Sequence, residues 1–171
     1  MTVSFLRPSW TTLSLVLVFI IACNQATDSK SDDKAKNEIS AITTIDTLQF
    51  VILPFDKSMD WMFDKSYEPT TLTQNEIIQT DSLLNECVTN YNKTLKDNKI
   101  DLTAVNYKRQ YVPVVNKKEQ KEVWINCFCQ SHGNSWKRSV LNVDGGGNCY
   151  FNFKVNLTEN KYYDLWVNAP L

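Results

Sequence analysis

The residues best suited to chemistry are Cys87, Cys127, Cys129 and Cys149, with the single histidine, His132, close behind two of them. Cys127-x-Cys129-x-x-His132 with Cys149 has the composition of a Cys₃His zinc set. Strand positions two apart splay their ligands, however, and the spacing is not that of a CxxC knuckle, so neither a metal nor another cofactor is expected. In an oxidising compartment the four thiols are candidate disulfide partners, in any of several connectivities. As buried free thiols they would instead pack as small hydrophobes; both readings stay open. A sequence with one histidine and no nucleophile elbow, HExxH or P-loop has little with which to run general-base or phosphate chemistry. No catalytic residue is assigned, and the reading leans away from an enzyme.

A second constellation offers binding rather than catalysis. From Cys149 to Leu157 the chain alternates: Cys149, Phe151, Phe153, Val155 and Leu157 face one way, Tyr150, Asn152, Lys154 and Asn156 the other. The same parity in the neighbouring segments adds Trp124, Asn126 and Phe128, then Tyr162, Asp164, Trp166 and Asn168. Flat rings stack on sugar C–H faces while amides and carboxylates bond hydroxyls, and tryptophan and tyrosine also dominate protein interfaces. The candidate binding face is therefore Trp124, Asn126, Tyr150, Asn152, Lys154, Asp164 and Trp166, for a glycan or an envelope protein. Cross-strand aromatic pairing that only stabilises the sheet, or coverage of the face by the segment around Trp61, is the competing explanation.

These side chains need a sheet to carry them and a helix to cover its other side. Thr47 to Phe55 reads as a buried strand ended by Pro54. Trp61, Met62 and Phe63 are expected to plug one end of the core, an exposed binding tip being the alternative. Thr73-x-x-Glu76 is a capping box, with Leu72 and Ile77 placed as a hydrophobic staple. Ile77, Leu84, Cys87, Val88, Tyr91 and Leu95 then recur at helical spacing, predicting one long helix to about Asp97 or Asn98. Five strands follow: Val105–Val115, with Pro113 suiting an edge or bulge, then Lys121–Gln130, Trp136–Val143, Cys149–Leu157 and Tyr162–Asn168. Asp144-Gly145-Gly146-Gly147-Asn148 is expected to join two of them as a hairpin loop. A strand rather than a helix follows the glycines, which argues against a phosphate cradle. The prediction is an α+β domain over 45–171, one long helix on an antiparallel sheet of about five strands, in an order that resembles cystatin-like or NTF2-like architecture. A pocket between helix and sheet, used by an enzyme or inhibitor, is the alternative that architecture suggests; a structural envelope role is another.

At 171 residues and 43% hydrophobic content the chain has room for one such domain and a targeting segment. Thr11 to Ala22 is a continuous apolar run, too short to span a bilayer comfortably and matching the core of a secretory signal over residues 1–22. Ile20-Ile21-Ala22-Cys23 resembles a bacterial lipobox, which implies a lipidated Cys23 and a membrane partner through acyl chains. Residues 23–44 are polar, mixed in charge and free of aromatics, as a disordered tether is. A net charge of −1 gives no reason to expect nucleic acid.

The strings YKRQYVPVV (Tyr107 to Val115), KEVWINCFC (Lys121 to Cys129), DGGGNCYFNFKVNL and YYDLWVN together resemble a set of small lipoproteins from Bacteroidota. The resemblance covers most of residues 45 to 168 and is most distinctive at GGNCYFN. It implies an outer-membrane, lipid-anchored location facing periplasm or cell surface, and it brings no catalytic residues. Asp46-Thr47-Leu48 and Asp81-Ser82-Leu83 also match the short O-glycosylation motif of such bacteria.

Overall fold

The helix begins at the residue the sequence marks. In the computed structural model, which describes residues 49–170, Thr73 is the N-cap of α1 (Gln74–Lys93), and both arms of the capping box form. Glu76 N–H donates to Thr73 Oγ1 at 3.3 Å, and Thr73 N–H donates to Glu76 Oε2 at 2.7 Å. The expected signal peptide (residues 1–22), the expected lipidation site Cys23, the expected tether (23–44) and Asp46-Thr47-Leu48 lie outside the described residues. The helix ends at Lys93, earlier than its apolar spacing predicts. Asn92 turns the chain: its Nδ2 donates to the Ile100 carbonyl at 2.7 Å and its Oδ1 accepts from Ile100 N–H at 2.9 Å. That reciprocal pair draws Ile100 back into the core, which a longer helix would prevent.

Six strands form one sheet: β1 (Phe50–Ile52), β2 (Glu68–Pro69), β3 (Lys108–Val115), β4 (Lys121–Phe128), β5 (Tyr150–Asn156) and β6 (Lys161–Val167). The order is β1-β3-β4-β5-β6, with β2 also on β3. The α+β class is as predicted, but the sheet is mixed rather than antiparallel, because β1 pairs parallel to β3. The chain between those two strands crosses over through α1, and a crossover of that kind returns the next strand parallel. Pro113 is interior to β3. Its carbonyl accepts from Thr70 N–H beside β2, so its missing N–H falls in the gap where the ladder passes from β1 to β2.

The predicted strand Trp136–Val143 is absent. Instead a long connection runs from β4 to β5 through two single 3₁₀ turns, Ser135–Lys137 and Gly147–Cys149. The glycines therefore end that connection and do not form a hairpin loop. The expectation of positive φ holds at Gly145, Gly146 and Gly147, with values of 77°, 81° and 59°. At Gly146 a Cβ would stand 2.6 Å from the Tyr150 ring, so the tyrosine occupies the space a side chain would need.

Two apolar layers result. On one face Ile77, Leu84, Cys87 and Val88 of α1 pack on Tyr111, Ile125, Cys127, Phe151, Phe153 and Val155. On the other, Leu53, Phe55, Met62 and Phe63 cover Val112, Val114 and Trp124. Met62 and Phe63 are thus buried as expected, in this second layer rather than at the end of the first, whereas Trp61 stays exposed.

Candidate functional site

The candidate binding residues lie on the sheet face opposite α1, and that face is only partly open. Trp124, 4% exposed, lies beneath the segment after β1, with Trp61 edge-on against it at 5.4 Å. Asn126, 8% exposed, donates through Nδ2 to Gln110 Oε1 at 3.0 Å and to the Leu141 carbonyl at 2.8 Å. Gln110 in turn donates to the carbonyls of Trp136 and Ser139 and accepts from Leu141 N–H. Both amides pin the β4–β5 connection onto the sheet. Phe128 is covered by Trp136, ring centroids 5.5 Å apart. The outward parity of these residues is as predicted; they are not open, because a second layer of chain lies over them, and at Trp124 it is the segment around Trp61 that covers the face, the competing expectation.

The end of this face near the C-terminus of β6 stays open. Trp166 is 67% exposed and sits opposite Asn152 in the β5–β6 ladder, and Trp61 is 61% exposed. Trp61, Asn142, Tyr150, Asn152 and Asn168 help line a small cleft of about 50 Å³ on this face. Trp124 Nε1–H donates to Asn152 Oδ1 at 3.3 Å, which fixes that amide with its NH₂ available. Asn168 is spent locally, donating to the carbonyls of Val143 and Gly145.

A bulge in β6 changes which residues share the face. Asn152 pairs with Trp166 but Lys154 pairs with Tyr163, so β6 carries one extra residue there, and Asp164 takes φ 52°. Tyr162, expected outward, consequently faces α1, where its hydroxyl accepts from Asn90 Nδ2 at 2.8 Å. Tyr163 takes the outward place. Lys154 and Asp164 pair at 3.1 Å, and the lysine ammonium lies 5.3 Å from the Phe63 ring centroid.

Past Lys154 the face opens again into a groove of about 640 Å³, lined among others by Tyr67, Asn116, Glu122, Asn156 and Tyr163. Glu122 is only 5% exposed, with Asn116 Nδ2 donating to Oε1 at 2.6 Å and the Tyr163 hydroxyl donating to Oε2. Burial first, and the neighbouring carboxylate second, push the Tyr163 pKa far up, so this phenol remains a donor. Glu122 shares the parity of Trp124 and was legible as outward-facing; Tyr163 was hidden by the bulge.

Cys129 and Cys149 form a disulfide that closes the β4–β5 connection, so two of the thiolates a zinc set would need are bonded to each other. Cys87 and Cys127 are buried free thiols between helix and sheet. Burial raises the Cys87 pKa to about 12. That interface, where a pocket-based enzyme or inhibitor would hold its ligand, is packed mainly with apolar side chains, and a cavity of about 510 Å³ opens only at its end, between Tyr91, Leu95, Asn148 and Val167. Ser82 of Asp81-Ser82-Leu83 is exposed on α1, while Asp81 accepts from Arg109 Nη1 at 2.9 Å and from the Tyr111 hydroxyl at 2.6 Å. Among the described residues no helix is long and apolar enough to cross a membrane. No family model matches this sequence, and neither the curated proteins nor the solved structures provide a match.

Proposed function

We propose that this chain is a non-enzymatic glycan-binding module, anchored by a lipidated Cys23 to the outer membrane and using the open end of its outer sheet face. One observation carries the reading: Trp61 and Trp166 both stand well exposed on that face, flanking Asn152, whose amide is held in place by buried Trp124. Exposed aromatic rings sharing one face are the kind of patch that marks an interaction site. Rings with an oriented amide between them suit a sugar's apolar face and its hydroxyls. The strand–helix–meander order supports a cystatin-like or NTF2-like assignment for the domain, the parallel β1–β3 pair being its departure.

The test is a glycan screen of soluble residues 45–171 with Trp166→Ala and Trp61→Ala as controls. Binding lost in both folded variants supports the reading. Binding that survives both removes this strip as the site. Retention of an envelope protein at the same tryptophans, with no glycan bound, would make the partner a protein instead.

A further inference from the structure

The groove at the other end of the same face holds a buried carboxylate, Glu122. Both oxygens of Glu122 accept hydrogen bonds, one from an amide and one from a phenol. The residue is 5% exposed, and among the described residues no cation pairs with it. A buried carboxylate with only neutral donors is costly, and a cation supplied from outside would relieve that cost. Its two donors occupy about half of the lone-pair sites a carboxylate offers, leaving room for another donor.

The groove walls suit such a donor. Tyr67 and Tyr163 line it with Glu122, and tyrosine faces attract ammonium groups. The Tyr163 ring already has the Lys154 ammonium 5.8 Å from its centroid. Of the lysines at the rim, Lys161 is paired with Glu159, and Lys117 and Lys118 are exposed on the β3–β4 turn, where water screens them. Asn152 and Asn156 lie on the same face of β5, so the groove begins roughly 13 Å along the strand from the tryptophan strip. An oligosaccharide lying along β5 and β6 reaches both.

We propose that the Glu122 groove is a subsite for a protonated primary amine, and that the glycan bound at the tryptophan strip carries an unsubstituted amino sugar. The inference rests on the glycan-binding reading of that strip. The ammonium donates to Glu122 between the two tyrosine rings while the neighbouring sugar stacks at Trp166.

The experiment measures affinity of the soluble domain for a β-1,4-linked glucosamine tetramer and for its fully N-acetylated counterpart. The amine form should bind about tenfold or more tighter, as expected when a charge-assisted bond replaces none. Glu122→Gln removes the charge while keeping one of the two acceptor oxygens, and should abolish the preference for the amine form. Amide NMR shifts of the wild-type domain on adding glucosamine should move at Asn116, Glu122 and Asn156, locating the site even if the variant folds poorly. Equal affinity for the two tetramers, a preference that persists in Glu122→Gln, or shifts that avoid the groove would overturn the inference. Tryptophan-dependent binding of other glycans, with both tetramers silent, overturns the amine subsite and leaves the strip; silence on all glycans overturns both.

Discussion

The side chain of Gln110 and the backbone of Leu141 meet at 2.9 Å, the leucine N–H donating to an amide oxygen that has no solvent exposure. Through the same side chain the sheet also holds the carbonyls of Trp136 and Ser139 and the amide of Asn126. A single residue of β3 thus satisfies three backbone groups of the long β4–β5 connection. Gln110→Leu should destabilise the domain by about 4 kcal/mol, because several buried donors and acceptors lose their partner together. Denaturant unfolding measures this; a loss below about 1 kcal/mol would mean that water reaches the connection.

The disulfide secures the same segment covalently. Replacing Cys129 and Cys149 by alanine should cost about 3 kcal/mol, the loop-closure effect for a bridge spanning 20 residues. Reductant should shift wild type to the stability of the double variant and leave the variant itself unmoved.

Cys87 and Cys127 should behave in the opposite way. Burial holds both thiols far above their usual range, Cys87 at about 12 and Cys127 higher still. The thiolate is the reactive species, so alkylation at pH 8 should be negligible in the native protein. Both should label together on denaturation, and mass spectrometry that found either modified under native conditions would contradict their burial.

Glu76 gives the helix a pH dependence. Burial alone would raise its pKa, but its bonds to Lys121 and to Thr73 outweigh that and lower it below 4.5. A depressed carboxylate contributes stability that is present above its unfolded pKa and lost as pH falls through the folded one. Glu76→Gln should therefore cost about 1 kcal/mol at neutral pH. The gap from wild type should close as the solution is acidified below about 4.5, which thermal melts across pH would read.

Tryptophans on one sheet face should separate by depth. Trp124→Ala should cost about 3–4 kcal/mol, as truncation of a buried indole does, and Trp166→Ala less than about 1 kcal/mol. Similar losses at both would mean that Trp166 is covered in solution.

What the sequence by itself determined was local. The start of α1 was legible because a capping box satisfies its own backbone donors within four residues of chain. The outward and inward parity of β4 and β5 was legible because strand geometry turns alternation directly into faces. Three features were settled only in the tertiary structure. Parallel pairing of β1 with β3 depends on where a crossover lands, which no local pattern records. Trp136–Val143 has strand-like composition, yet Gln110 and Asn126, distant in sequence, satisfy its backbone by another route. One extra residue in β6 exchanges Tyr162 for Tyr163, since a period of two loses its phase at a single bulge. Exposure followed the same division: parity says which face a side chain is on, but only the packing of Leu53, Met62 and Phe63 over that face decides that Trp124 is buried and Trp166 is not.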